Sequence, residues 1–206
     1  MGNSFDSKAA GWDDNPKRIK LVDKVWEVLD RQIDFSGIKS AMDYGCGTGL
    51  LGFKFIDKVS SLTFCDTSEG MLAQVEKKSA YYGTKNARLL KADLSTAPLP
   101  ADRFDLIASM LVLHHVEHPG ELLARFHQML NDDGLFCWID LEEEDGSFHT
   151  DSEEIHHHGF SREQVSGYMK DNGFVVNFYS DELYVEKEKD GQTVHYPLYI
   201  AIGRKA

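Results

Sequence analysis

The sequence lacks a long hydrophobic run and has few cysteines. No apolar stretch in its 206 residues approaches the roughly 20 that cross a bilayer, and residues 1–20 are polar, without the apolar segment of a secretory signal. Cys46, Cys65 and Cys137 form no Cys-x-x-Cys pair, and an odd number of buried thiols argues against a disulfide framework. We therefore expect a soluble, cytoplasmic chain without a membrane partner.

The chain also has fewer basic than acidic residues. The chain has 22 Lys and Arg against 34 Asp and Glu, a formal net charge of -12, and the basic residues form no cluster in the sequence. Such an acidic surface repels phosphate backbones, so we predict no nucleic-acid partner. Internal repeats and low-complexity linkers are missing too. We expect one domain over residues 1–206, with a helical cap segment (1–35) and an α/β core (36–206), as a monomer or homodimer.

Strand-like and helix-like segments alternate along the chain. Residues 17–33 have the apolar spacing of an amphipathic helix, residues 104–111 read as a strand buried on both faces, and Lys189-Asp190-Gly191 indicates a hairpin turn. The other predicted strands are 40–44, 61–65, 87–92, 135–140, 174–185 and 193–203, and the other predicted helices are 50–58, 68–82, 120–130 and a capped helix that begins at Ser161. Five β-α alternations and a C-terminal hairpin predict an α/β fold, a doubly wound and mostly parallel sheet with one antiparallel strand near its edge and helices on both faces.

A glycine-rich turn after the first predicted strand is the main functional signal. Gly45, Gly47 and Gly49 let the backbone turn tightly and approach a ligand, and the following helix N-terminus can hold a diphosphate or an amino-acid carboxylate. The glycines alone do not choose, because Gly47-x-Gly49-x-x-Gly52 also matches the dinucleotide fingerprint. Asp43 would repel a diphosphate and suits a cationic ligand. It favours S-adenosylmethionine (SAM), which carries an ammonium and a sulfonium but no phosphate.

Acidic residues also follow the next two predicted strands. Asp66 ends the second strand about 20 residues after Gly45, where a carboxylate can accept hydrogen bonds from ribose hydroxyls. Asp93 ends the third strand and could accept a hydrogen bond from the adenine amino group. Each alone is better explained as a strand-end turn residue. Acids at three successive strand ends, where α/β sheets bind ligands, favour an adenosine-type cofactor.

Together these motifs resemble the class I (Rossmann-like, seven-stranded) SAM-dependent methyltransferases, in particular the small-molecule, type 11/12-like group. The resemblance is carried by residues 43–49, 66–72, 93–94, 104–116 and 131–135, in that order, and by the terminal hairpin. It implies an enzyme that uses SAM, releases S-adenosylhomocysteine (SAH) and transfers the methyl group to a small-molecule acceptor by in-line displacement.

The resemblance also implies roles for individual residues. The glycines would line the amino-acid end of SAM, Asp66 would hold the ribose, and Trp12 would belong to a segment that closes over the cofactor. The cofactor-binding residues implied are Trp12, Asp43, Gly45, Gly47, Gly49, Asp66, Thr67, Met71, Asp93, Leu94, Met110 and His115.

Nine histidines raise the question of a metal. They form two groups in the sequence, residues 114–118 and 156–158, with His149 near the second. Three consecutive histidines cannot all point one way, and no cysteine is interleaved, so we predict no metal.

Catalytic residues are harder to name, because a sulfonium leaves as a neutral thioether and needs no proton. The loop after the fifth strand suggests that Asp140, His149 and His157 line an acceptor pocket, although it also reads as a solvated acidic loop. His115 is a candidate base or a buried structural histidine. Three alternatives stay open: an NAD-dependent oxidoreductase with the same turn, a SAM-binding partner or sensor without catalysis, and methylation of a protein or RNA.

Overall fold

A seven-stranded sheet forms the centre of the part of the chain that is described, residues 5–149 and 155–206 of a computed structural model. Residues 1–4 of the predicted cap and 150–154 of the loop after the fifth strand lie outside the described residues. The strands are β1 (Ser40–Tyr44), β2 (Ser61–Asp66), β3 (Ala87–Lys91), β4 (Phe104–Met110), β5 (Leu130–Leu141), β6 (Phe174–Lys189) and β7 (Gln192–Lys205). Their order across the sheet is β3-β2-β1-β4-β5-β7-β6, and β7 runs antiparallel to the other six strands.

Helices cover both faces of this sheet. They are α1 (Pro16–Gln32), α2 (Gly52–Phe55), α3 (Glu69–Tyr82), α4 (Pro119–Met129) and α5 (Arg162–Asp171), with short 3-10 helices at Asp6–Asp14, Phe35–Gly37 and Leu113–His115. Side chains of α1, α2 and α3 share one core with Leu106 and Ala108 of β4, whereas α4 and α5 pack against Ile107 on the opposite face. The α/β prediction is therefore confirmed. Among the described residues, no helix is both long enough and apolar enough to span a membrane.

Two predicted elements differ from the structure. The helix expected over 50–58 is reduced to Gly52–Phe55, with turns on both sides, because the glycine turn runs on through Leu51 before helical hydrogen bonding begins. The predicted turn before the fifth strand is instead an irregularity inside a longer β5. Phe104 pairs with Leu130 but Leu106 pairs with Leu135, so the extra residues bulge out and Asp133 adopts a positive φ of 61°.

Asp105 joins the amino ends of three strands. Its Oδ2 accepts hydrogen bonds from the backbone N–H groups of Lys39 (2.8 Å) and Ser40 (2.9 Å), and its Oδ1 accepts one from the side-chain amide of Asn131 (2.6 Å). Burial by itself would raise the pKa of Asp105, but these hydrogen bonds favour the carboxylate and hold the pKa below its usual value of 3.8. The starts of β1, β4 and β5 are thus tied at the end of the sheet opposite the glycine turn.

We expect Asp105→Asn to lower the free energy of unfolding by about 1–3 kcal/mol at pH 7, because an amide cannot replace all these charge-assisted hydrogen bonds. Because the pKa of Asp105 is lower in the folded than in the unfolded chain, its ionised carboxyl stabilises the fold at pH values above the unfolded pKa. That stabilisation is lost as the pH falls through the folded pKa. The difference in unfolding free energy between wild type and variant, measured by urea unfolding at several pH values, should therefore narrow below about pH 4. Asp102→Asn, at an exposed ion pair with Arg88, is the control and should change stability by less than about 1 kcal/mol. A difference in unfolding free energy that does not narrow at all between pH 7 and pH 3 would contradict the assignment.

Candidate functional site

The glycine turn follows β1 at the carboxyl edge of the sheet. The N–H groups of Gly45 and Cys46 donate to the carbonyl oxygen of Cys65, at 2.8 and 3.0 Å, which holds the turn against the end of β2. Gly45 has φ +67°, and a Cβ there would overlap the Val112 side chain. Gly47 has φ +53°, and among the described residues the one atom within 4 Å of a Cβ built on it would be Trp12 Nε1, at 3.8 Å. The Gly47 backbone therefore borders open space, as a ligand cradle requires.

Asp66 connects this turn to the helix that follows β2. Its Oδ2 accepts a hydrogen bond from Gly47 N (2.8 Å), and its Oδ1 accepts one from Ser68 N (2.8 Å). Burial is the main influence on this carboxyl and raises its pKa, while the backbone hydrogen bonds oppose the shift. A carboxylate offers about four lone-pair positions, so Asp66 keeps acceptor capacity toward a ligand beside Gly47.

Asp43 is a buried residue that contacts the end of the glycine turn. Its side chain is 2% exposed, and its Oδ2 accepts a hydrogen bond from Gly52 N at 2.8 Å, where α2 begins. Burial, together with the charge of Asp66, raises the pKa of Asp43 to about 7. The carboxyl thus contacts the first turn of α2 and shapes the end of the glycine turn. Its role as a cofactor-binding residue stays a prediction.

The implied cofactor-binding residues that follow β2 and β3 include two buried and two exposed side chains. Met71 and Leu94 are core residues with at most 1% exposure, whereas Thr67 is exposed. Asp93 is also exposed, and its Oδ1 accepts hydrogen bonds from Ser95 N (2.9 Å) and Ser95 Oγ (2.6 Å). Asp93 therefore forms the strand-end turn that was the alternative explanation for it. Adenine contacts of these residues remain predictions.

Residues 5–14, which we call the N-terminal segment, dock on the start of α3. Oδ1 of Asp6 accepts hydrogen bonds from Ser68 Oγ (2.6 Å) and Gly70 N (2.9 Å). Ser68 is itself the N-cap of α3, because its Oγ accepts a hydrogen bond from Met71 N. Asp6 thus joins the N-terminal segment to the start of α3, directly after β2.

The same segment also reaches the glycine turn. Oδ1 of Asp13 accepts a hydrogen bond from Thr48 Oγ1 (2.6 Å), and its carboxylate forms an ion pair with Lys78 of α3. The indole of Trp12 lies across the open space from Gly47, with the Arg18 guanidinium 3.8 Å from the centre of the Trp12 ring. The segment therefore lies over the glycine turn, and the role of Trp12 in closing over the cofactor stays a prediction.

The chain after β4 is backbone-strained. Leu111 has φ 58°, a value that a branched side chain rarely adopts, and its N–H donates to Ile139 O at 2.8 Å. The 3-10 helix Leu113–His115 follows, and the His115 ring meets the Phe5 ring edge-on, with centroids 5.8 Å apart. Met110, one of the implied cofactor-binding residues, packs partly buried against the core. Strain of this kind is characteristic of functional sites.

A cavity of about 540 Å³ opens beside Leu111. Its walls combine the rings of Phe5, Trp12, Phe148 and Tyr184 with His114, His115 and His149. The basic residues that line it are Lys8, Lys17, Arg18, Lys20, Lys24 and Lys187, and Glu186 is the one carboxylate among the described lining residues. The cavity is therefore basic inside a chain whose net charge is -12.

The three residues predicted for an acceptor pocket have different positions. His149 lines the cavity. Asp140 is 0% exposed and lies behind His114, with Oδ1 2.5 Å from His114 Nδ1. His157 is not among the lining residues, and its Nε2 is 3.0 Å from the Val116 carbonyl oxygen. Asp140 therefore lies behind His114 and His157 packs against the loop after β4, so neither lines this cavity directly, and their acceptor-pocket roles stay predictions.

Sequence reasoning missed His114 as a site residue. It is 1% exposed, and its ring is held by Asp140. Burial alone would raise the pKa of Asp140, but His114 and the hydrogen bonds to the carboxylate keep that pKa below its ordinary value. The signal in the sequence was a histidine directly before His115 together with a carboxylate at the end of the next strand, and nothing in the sequence joins the two.

Comparisons with known proteins agree with this geometry. Residues 41–134 match the family model described as a methyltransferase domain. An uncharacterized methyltransferase of Mycobacterium tuberculosis is 30% identical over 112 residues, which are 54% of this chain and 55% of that protein. A ubiquinone biosynthesis O-methyltransferase of Coxiella burnetii is 29% identical over 120 residues, 58% of this chain and 47% of that protein. The chain thus spans about half the length of the curated relatives it matches.

Solved structures match over more of the chain. A SAM-dependent methyltransferase from Clostridium acetobutylicum superposes with a TM-score of 0.69 at 17% identity, over 99% of this chain and 100% of that chain. The [4+2]-cyclase SpnF superposes with a TM-score of 0.72 at 15% identity, over 89% of this chain and 80% of that chain. At such identities, the likeness is one of fold.

The order of the strands is that of the class I Rossmann-like fold found in methyltransferases. The glycine turn, with acidic residues beside it, lies where that fold binds its ligand. Residues 41–134, just under half of the chain, match the methyltransferase-domain model, and the solved neighbours share the fold. The comparisons therefore support the resemblance to the SAM-dependent methyltransferases seen in the sequence, with SAM as the cofactor.

We expect Asp6→Ala to release the N-terminal segment, because it removes both hydrogen bonds to the start of α3. Amide hydrogen exchange in residues 5–14 should accelerate by about tenfold or more, the equivalent of losing one or two charge-assisted hydrogen bonds. The matched control is Asp14→Ala, an exposed carboxylate of the same segment, which should leave exchange unchanged. Equal acceleration in both variants would show that Asp6 does not hold the segment.

Proposed function

We propose that this chain is a SAM-dependent methyltransferase whose acceptor is a small anionic molecule. The observation that carries the SAM assignment is the 2.8 Å hydrogen bond from Gly47 N to Asp66. It sets a carboxylate suited to ribose hydroxyls directly beside glycine backbone that borders open space. Asp43 and Asp66 place two carboxyl groups at this turn, and even partly ionised they suit the cationic groups of SAM better than a diphosphate. The NAD-dependent oxidoreductase is therefore disfavoured.

The residues of the chain contribute chiefly position and exclusion of water. When bound, SAM supplies a methyl group on a sulfonium, so no side chain has to protonate the leaving group. The N-terminal segment covers the turn through Asp6 and Asp13. Phe5, Trp12 and His115 line the adjoining cavity, where the Phe5 ring packs against the rings of the other two. Alignment within such a closed site supplies much of the acceleration in a displacement reaction.

An anionic acceptor follows from the cavity walls. The volume of about 540 Å³ suits a small molecule. Lys17 is neutralised by Glu186 (3.5 Å) and Glu188 (2.9 Å), whereas Lys20 is exposed at the wall and Lys24 lies 5.4 Å from the centre of the Tyr184 ring. A basic cavity in an otherwise acidic chain attracts and orients a negatively charged substrate. The aromatic walls suit an apolar or ring-bearing body.

Methyl transfer itself needs a direct test, because a protein named for a cyclase reaction shares this fold. A SAM-binding partner protein without catalysis is the alternative that such a test addresses. We also retain as predictions a single domain over 1–206 and a monomer or homodimer. The cytoplasmic location stays a prediction too, supported by three free, buried thiols at Cys46, Cys65 and Cys137.

Titration calorimetry with SAM, SAH and NADH tests the cofactor. We expect SAM and SAH to bind, and Asp66→Asn to weaken SAM binding by about tenfold or more, because an amide cannot accept from both ribose hydroxyls as a carboxylate does. Asp102→Asn, the same substitution at an exposed site, should bind like the wild type. Tight binding of NADH without binding of SAM would overturn the proposal.

SAH production with metabolite fractions separated by anion exchange tests the acceptor. We expect activity in the retained, anionic fractions, and mass analysis of the product should show one added methyl group. Once the acceptor is known, Lys20→Ala with Lys24→Ala should raise KM by about tenfold with little change in kcat, because these charges attract the acceptor before reaction. Lys85→Ala, exposed and outside the cavity lining, is the control. Activity confined to neutral fractions would contradict the anionic class, and absence of SAH with every fraction would favour the partner-protein alternative.

A further inference from the structure

Three histidines from two separate loops meet on one wall of the cavity. His114 and His115 lie in the 3-10 helix after β4, and His149 lies in the loop after β5. One ring nitrogen of each lies within 4.8 Å of the other two. The centroid of the His114 ring is 4.1 Å from that of His115 and 4.8 Å from that of His149. The centroids of the His115 and His149 rings are 5.3 Å apart.

Asp140 orients the most buried of these rings. Its Oδ1 lies 2.5 Å from His114 Nδ1 and also accepts a hydrogen bond from Leu141 N at 2.9 Å, while its Oδ2 accepts one from Leu113 N at 3.0 Å. A carboxylate in this position keeps the proton of a neutral imidazole on Nδ1 and leaves the lone pair on Nε2. The same carboxylate–histidine pairing stands behind the histidine ligands of many metal sites.

The other nitrogen of His114 is an unsatisfied buried polar atom. Its Nε2 has no hydrogen-bond partner within the described residues, although the side chain is 1% exposed. Buried polar groups in folded proteins are almost always paired, so an atom of this kind points to a ligand. A metal ion can accept the lone pair that His114, protonated on Nδ1, carries on Nε2, and it would lie where His115 and His149 also converge.

We propose that His114, His115 and His149 bind one divalent transition-metal ion, with Asp140 as the positioning residue behind His114. Imidazole nitrogen suits Zn²⁺ and its neighbours in the first transition row, whereas Mg²⁺ and Ca²⁺ prefer oxygen. Three protein ligands with one open position form the usual catalytic type of zinc site. Tetrahedral nitrogen ligands are about 3.4 Å apart, so small side-chain rotations bring these rings into coordinating positions.

The proposed ion would face the cavity, because all three histidines line it. If the proposed function holds, the open position is turned toward the acceptor. A divalent cation there would add positive charge to the basic wall and would lower the pKa of an acceptor hydroxyl. Metal binding itself requires neither SAM nor acceptor, so the two proposals can fail separately.

Zn²⁺ uptake by the full chain, without an affinity tag and without SAM, tests the site. After removal of metal by a chelator, equilibrium dialysis against Zn²⁺ with elemental analysis should give one ion per chain. We expect His149→Ala to weaken binding by about 100-fold, and Asp140→Asn by about 10- to 100-fold, the effect usual for a second-sphere carboxylate. His118→Ala, an exposed histidine before α4, is the control and should bind like the wild type.

Co²⁺ provides an independent readout, because visible absorption bands report its coordination by nitrogen in a four-coordinate site. Wild type and His118→Ala should show these bands, and His115→Ala and His149→Ala should lose them. Circular dichroism and thermal unfolding of the metal-free variants check that the fold persists. Uptake well below one Zn²⁺ per chain in the wild type, or equal uptake by His149→Ala and His118→Ala, would overturn the proposal, whatever the outcome for SAM.

Discussion

The buried carboxylate of Asp140 holds the carboxyl ends of β4 and β5 together. It accepts hydrogen bonds from the backbone of Leu113 and Leu141 and from the His114 ring, and the His114 carbonyl in turn accepts the N–H groups of His156 and His157. A buried carboxylate without these partners would be strongly unfavourable, so the turn after β4 and the loop before α5 are both fixed by one charge. The cavity wall and the histidine cluster depend on that arrangement.

Cofactor and acceptor regions meet at the N-terminal segment. Asp6 and Asp13 attach the segment to α3 and to the glycine turn, and Phe5 and Trp12 form part of the wall of the basic cavity. The acidic turn suits a cationic cofactor, whereas the basic cavity suits an anionic acceptor. If the proposed function holds, the segment lies between the acidic turn for the cofactor and the basic cavity for the acceptor.

Much of the fold could be predicted because its signals are local. The buried run of β4, the amphipathic spacing of α1 and the capping box at Ser161 each depend on residues close together in the chain, and each element appears where expected. The sequence-based predictions were wrong where contacts between residues far apart in the chain determine the local structure. The longer β5, with its irregular pairing to Phe104, results from its neighbour strand rather than from its own sequence.

The sequence by itself determined the α/β class, the glycine turn after β1 and the acidic residue that ends β2, because each of these lies in a short segment with its own pattern. Only the tertiary structure decided the basic cavity and the cluster of His114, His115 and His149. Their side chains converge from segments far apart in sequence, and no local pattern encodes a distance between two loops. Parallel strands bring such loops to one edge of the sheet, and packing then selects the side chains that touch.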